Sequence, residues 1–192
     1  PPDAVQAVDL EALIAARNRG VDVRVVLEGD VESNGPRLIE LTDAGVSARL
    51  DGSSRTMHAK LVVVDDRHVL VGSTNWTFSS MARNNEANWA FDDGALGSRF
   101  AAWVDAVWSD AATLHGLDAG PFQGVVPVGA GQYLDRVGPF IDAAQERVWV
   151  TMYQVGWDDS PASDVQKLVG KLEAAANRDR KSTRLNSSHV SQ

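Results

Sequence analysis

Cysteine is absent from the 192-residue chain, which excludes disulfides and thiolate metal sites while leaving the redox compartment open. Histidine is scarce: the four present are scattered, and no spacing among them suggests a Zn²⁺ site. No apolar run is long enough to span a bilayer. Positive charge is also in short supply. Lys and Arg total 18 against 26 Asp and Glu, giving a formal net charge of -8, and no basic stripe of the kind that offsets a nucleic-acid backbone is visible. That balance argues modestly against a nucleic-acid substrate, although an acidic surface is also the ordinary solvated one. Apolar side chains, by contrast, make up 44% of the chain, enough for a globular core.

Against this background one run of polar residues stands out. His58, Lys60 and Asp65, followed by Gly72-Ser73-Thr74-Asn75, fit the spacing HxKxxxxDxxxxxxGSxN. Six specified residue types at fixed spacing arise by chance about once in 10^7 to 10^8 windows at ordinary residue frequencies. Apolar alternation from His58 to Asp65 predicts a buried strand, Asp66-Arg67 a tight connection, and His68 to Gly72 the returning strand. Side chains two apart on a strand share a face, which pairs His58 with Lys60 and Ser73 with Asn75, and gives Asp65 the opposite parity. A phosphodiester is a poor electrophile wrapped in negative charge, so catalysis without a metal needs cationic or neutral donors around its oxygens and a neutral nucleophile.

The run resembles the signature of the phospholipase D superfamily and matches it at each specified position. The resemblance implies an α/β fold, a layered sheet flanked by helices, and a metal-independent phosphodiesterase that needs no cofactor. It implies that His58 attacks phosphorus to give a phosphohistidine. Lys60 and Asn75 would hold the non-bridging oxygens, Lys60 as a point charge and Asn75 through its amide N–H, with Ser73 hydrogen-bonding within the site. Glu86, in the next expected strand, is the candidate to fix the tautomer of His58. Asp65 belongs to the catalytic signature but reads as an anchor of the hairpin rather than a group that touches substrate. Members of the superfamily place two such units face to face, so that one His attacks and the other protonates the leaving alkoxide. The implied partner is therefore a second HxK unit, from elsewhere in the chain or from a homodimer, and the substrate a phosphodiester, with phospholipid favoured over nucleic acid.

Helices alternate with apolar strands on both sides of the signature, as an α/β layered sheet requires. Helices are expected at Asp9 to Arg19, Pro36 to Ala44 and Ala95 to Ala111, with Gly20 and Gly45 as stops, and strands at Val21 to Leu27 and Val46 to Leu50. The first unit would cover residues 1–113, and the Gly-rich stretch 114–131 would connect it to a second unit at 132–178. That second unit begins again with a helix (Tyr133 to Ala144), a strand (Arg147 to Gln154) and a helix (Ser163 to Arg178). Leu172 to Arg178 aligns with Leu13 to Arg19, identical at Leu, two Ala, Asn and Arg, so an incomplete repeat is expected to break off where a Gly and a strand are due. Residues 179–192 resemble the translation of a common sequencing-library adapter and are set aside from the fold. Without them the charge falls to about -10, because Asp179 against Arg180, Lys181 and Arg184 contributes +2.

Bland roles compete for the remaining candidates. His68 and His115 fall outside the signature and read as surface residues, and His189 belongs to the tail. Phe100, Trp103, Val104, Val107 and Trp108 recur at helical spacing, so Trp103 and Trp108 read as core packing. Trp76 suits the mouth of the site and hairpin packing equally. An endonuclease of the same superfamily and a non-catalytic phosphate-binding scaffold remain alternatives, since a fold alone does not establish function.

Overall fold

The structure, a computed structural model, describes residues 3–110, 115, 117, 128, 132–152, 154–155, 160, 162–178 and 184–187. The chain divides into two units, residues 1–122 and 123–192. The expected connection at 114–131 lies outside the described residues except for 115, 117 and 128.

The first unit opens with α1 (Asp3–Asn18), β1 (Arg24–Leu27), α2 (Asn34–Asp43) and β2 (Ser47–Leu50). β1 and β2 pair in parallel, Arg24 opposite Ser47 through Leu27 opposite Leu50, with α2 as the crossover. Gly20 and Gly45 adopt φ of 93° and 80°, the left-handed conformation that ends a helix without a Cβ penalty. Arg17 Nε donates to the Gly45 carbonyl at 2.7 Å and so ties the two helix ends together. Leu10, Leu41 and Val46 form the core beneath these helices, joined by Leu13, Ile14, Val23, Val25 and Ala48.

Three antiparallel strands follow: β3 (Lys60–Val64), β4 (His68–Gly72) and β5 (Asn88–Asp92). The expected strand from His58 is corrected at its start, because pairing with β4 begins only at Lys60, opposite Gly72. The turn between β3 and β4 is closed by the Arg67 N–H on the Val64 carbonyl at 3.1 Å, with Asp65 and Asp66 at φ of 52° and 49°. Two successive positive φ values match the right-handed twist of the flanking strands, and Asp tolerates them better than most residues. Between β4 and β5 the chain forms a short helix, α3 (Phe78–Ala82), which the periodicity did not predict. Its sequence signal is Thr77, whose hydroxyl accepts from the Ser80 N–H.

α4 (Gly94–Ser109) begins directly after β5, capped by Asp93, which accepts from the Leu96 N–H at 2.8 Å. It lies on one face of the antiparallel sheet, where Val69 (2% exposed), Leu96 (1%) and Phe100 gather Leu61, Val63, Val71 and Phe91. Gly97 permits this close seat, since a Cβ there would lie 2.2 Å from the Asp66 carbonyl oxygen. The far end of α4 meets the parallel pair: Arg49 donates to the Trp108 carbonyl at 2.7 Å and stacks over its ring, and Arg24 bonds Asp105 at 3.0 Å. Trp103 and Trp108 are only half-buried, so the apolar stripe of α4 is anchored by Phe100 and Val107 instead.

The second unit contains α5 (Tyr133–Ala143), β6 (Trp149–Met152), α6 (Asp164–Arg178) and β7 (Arg184–Ser187). Ser163 starts α6 as expected, accepting from the Gln166 N–H at 3.1 Å. Within the stretch set aside from the fold, residues 184–187 form β7, which pairs in parallel with β6, Trp149 opposite Arg184 through Met152 opposite Ser187. Strand pairing engages backbone groups, so an open strand edge accepts a segment without asking for a particular side-chain pattern.

Candidate active site

The register of the antiparallel sheet brings every residue of the signature except Asp65 to one end. Lys60, Gly72 and Asn88 occupy one row across β3, β4 and β5, while Val64, His68 and Asp92 occupy the opposite row. His58 lies two residues before the first row, Ser73 and Asn75 just after it, and Glu86 two residues before it on the third strand. Asp65 sits beyond the other row, in the hairpin turn, about 14 Å or more away at the usual rise per strand residue. It is an exposed turn residue there.

Close backbone approach shapes the end that carries the site. A Cβ on Gly72 would lie 2.2 Å from Asn88 Oδ1 and 2.5 Å from the Ala87 carbonyl oxygen, so only glycine lets β5 come this near. Asn88 then reaches back across β4, its amide donating to the Thr74 hydroxyl at 2.8 Å. The Ser73 hydroxyl accepts from the Ala87 N–H at 3.1 Å and donates to the Glu86 carboxylate. Asn84 donates to the other carboxylate oxygen at 3.2 Å, and the buried Ser80 of α3 adds to the stabilisation of its charge. Glu86 is thus a junction of three segments. Ser80, Asn84 and Asn88 belong to the site, yet nothing in their spacing marks them, because their role arises only when α3 and β5 fold back beside Ser73.

These contacts also set the electrostatics. The Ser73 hydroxyl is the main cause holding the Glu86 carboxyl below its ordinary value, assisted by Asn84, Ser80 and the Lys60 charge against the opposing effect of burial. Burial holds the Lys60 ammonium below its own ordinary value, opposed by the Glu86 charge. Lys60 Nζ donates to the His58 carbonyl at 2.8 Å, so the cation is folded against the backbone of the histidine beside it. Among the described residues no hydrogen bond joins the His58 imidazole to Glu86; the ring is exposed and its segment is held through the main chain. The preceding N–H, that of Met57, donates to the Glu28 carboxylate at the end of β1. Asn75 and Trp76 are exposed beyond Ser73, and the Asn75 carbonyl accepts from the Thr77 N–H at 2.8 Å, which leads the chain into α3. An exposed imidazole, a lysine, a hydroxyl and an amide at one sheet end, with a carboxylate behind them, form a set able to receive a phosphoryl group.

The family model described as "Cardiolipin synthase, PLD-like domain" matches residues 4–108. The mitochondrial cardiolipin hydrolase of Xenopus tropicalis is 35% identical over 100 residues, 52% of this chain and 48% of that protein. That of Homo sapiens is 34% identical over 91 residues, 47% of this chain and 36% of that protein. The phospholipase D of Rickettsia prowazekii is 32% identical over 90 residues, 46% of this chain and 44% of that protein. The chain spans about half the length, or less, of the curated relatives it matches. The crystal structure of the phospholipase D family member Nuc from Salmonella typhimurium aligns with a TM-score of 0.49 and 27% identity, over 53% of this chain and 69% of that one.

Proposed function

Because the chain belongs to the cardiolipin synthase, phospholipase D-like domain family, we propose that it cleaves a phosphodiester, a phospholipid by preference, through a phosphohistidine on His58. The observation that carries this reading is the convergence of Lys60, Ser73 and Glu86 at the sheet end beside His58. The names of the cardiolipin hydrolase and phospholipase D relatives support a lipid diester.

In the proposed reaction an imidazole nitrogen attacks phosphorus, a P–N bond forms, and the P–O bond to the leaving alcohol breaks. Lys60 and the Asn75 amide offset the charge on the non-bridging oxygens, and Ser73 holds the Glu86 carboxylate in place. The alkoxide takes its proton from an acid on a second HxK unit, contributed by further chain or by a second copy. Water or an alcohol, giving its proton to the same group on the second unit now acting as base, then attacks phosphorus, the P–N bond breaks, and the imidazole is restored. Burial of Lys60 beside a carboxylate suits this work, because a partly desolvated cation interacts more strongly with phosphate than a solvated one.

The test is incubation of the intact chain, in EDTA, with vesicles containing an acyl-labelled or phosphorus-labelled phospholipid, and separately with a short labelled DNA. Acid-labile label on His58 from the lipid is the expected result. Label or cleavage from DNA alone would move the assignment to an endonuclease. A folded chain that binds inorganic phosphate but takes label from neither would make it a phosphate-binding scaffold.

A further inference from the structure

Two carboxylates outside the site just described lie behind its histidine. Asp51 is 3% exposed at the end of β2, and its Oδ1 accepts from the Gly29 N–H at 3.0 Å. Its own N–H continues the parallel ladder to the Leu27 carbonyl at 2.9 Å. A Cβ on Gly29 would lie 3.0 Å from Asp51 Oδ1, so glycine lets the carboxylate close over the end of β1. Glu28, the residue between Leu27 and Gly29, is thereby held at a fixed point. One of its carboxylate oxygens accepts from the Asp30 N–H at 2.9 Å, and the other accepts from the Met57 N–H, 29 residues away in sequence.

His58 follows Met57 directly. Its ring is exposed, and among the described residues its segment is tied on the other side by Lys60 Nζ on the His58 carbonyl. The backbone of the histidine is therefore gripped from both sides, by an anion on the N–H before it and by a cation on the carbonyl after it. Charge-assisted bonds of this kind are the stronger class, and Glu28 follows β1 directly, next to the Gly29 N–H that Asp51 holds. Between β2 and β3, residues 52–59 carry no strand pairing of their own. Without that grip the imidazole would be delivered by an irregular segment free to shift by an ångström or more.

We infer that Glu28 is a positioning residue for His58: its carboxylate, carried on a backbone that Asp51 holds at the Gly29 N–H, pins the Met57 N–H and so sets where the nucleophilic ring meets phosphorus. The role rests on the reading of His58 as nucleophile. Glu28 touches no reacting atom, so its loss acts on the rate of attack and leaves phosphate binding by Lys60, Ser73 and Asn75 intact.

Glu28→Asp keeps the charge but shortens the reach by one methylene, and Glu28→Gln keeps the length and one carbonyl acceptor. Two measurements on the intact chain separate the brace from the reaction. Amide hydrogen exchange at Met57 reads the brace without any substrate, and the single-turnover rate of His58 labelling by the phospholipid diester reads its consequence. The inference predicts lost protection at Met57 and labelling slowed about 10- to 100-fold in Glu28→Asp, with affinity for inorganic phosphate unchanged, and partial recovery of both in Glu28→Gln. Unchanged Met57 protection in Glu28→Asp would overturn it, as would wild-type labelling rates despite lost protection. A wild-type chain with a protected Met57 and no label on His58 would instead sink the functional reading, and with it any role for Glu28 in attack, while leaving the brace as a structural contact.

Discussion

The Ser73 hydroxyl donates to the Glu86 carboxylate across the end of β4 and β5. That contact joins a residue of the GSxN run to one that lies 13 positions later, and it makes the fold and the charge state of the site depend on each other.

A pH dependence follows with a definite sign. The folded state holds the Glu86 carboxyl below its ordinary value, so folding favours the ionised form. The associated stability is fully present above the ordinary glutamate range and is lost as pH falls through the depressed folded value. Urea denaturation of the wild type and Glu86→Gln as a function of pH checks this. The difference between them is expected to shrink on acidification below the ordinary glutamate value and to stay constant above it; a difference that grows on acidification would contradict the assignment.

Two glycines of α4 separate close packing from helix propensity. Gly97→Ala drives a methyl into the backbone of the Asp66-Arg67 turn, where neither side can yield as a flexible side chain would, and is expected to cost about 1–3 kcal/mol. Gly94→Ala meets nothing within 4 Å at the first position of the same helix and is expected to be neutral or to stabilise by up to about 1 kcal/mol. Urea midpoints of the two variants measure the contrast, and equal destabilisation would show that α4 does not seat on the hairpin.

How much of this was legible in the sequence depends on the range of each contact. The His68–Gly72 strand, the Gly20 and Gly45 stops and the Ser163 start all rest on local patterns, and each is observed where the pattern sets it. The spacing of His58, Lys60, Ser73 and Asn75 was legible for the same reason. Glu86 reads in the sequence as a partner for His58, whereas its carboxylate bonds Ser73 and Asn84, and Ser80 and the Lys60 charge act on it as well. Those partners depend on α3, a five-residue helix too short to carry a periodic signal. Glu28 and Asp51 were invisible for a further reason: a carboxylate at a strand end looks like any solvated acid until the segment before His58 is brought against it.

The hairpin end of the sheet offers a test of Asp65. With Asp65 and Asp66 both at positive φ, replacing the second by Gly creates the Asp-Gly pair that such turns favour, and Asp66→Gly is expected to stabilise by about 0.5–1 kcal/mol. Asp65→Asn, which also tolerates the left-handed conformation, is expected to leave the rate of His58 labelling at the wild-type value. A large loss of labelling in Asp65→Asn with an unchanged urea midpoint would return Asp65 to the reacting set and contradict its place at the far row.

The proposed second HxK unit gives the last prediction its quantitative form. If two copies of the chain share a site, and each site needs a histidine from both, a mixed dimer of wild type with His58→Ala has no complete site. Co-refolding equal amounts of the two would leave about one quarter of the wild-type activity per total protein, against about one half if each copy acts alone. Turnover of the phospholipid diester across a series of mixing ratios distinguishes a quadratic from a linear dependence on the wild-type fraction. A linear series would mean that the acid which protonates the leaving alkoxide resides within each copy, and the search for it would then move from the dimer partner to the exposed groups beside Lys60 and Asn75.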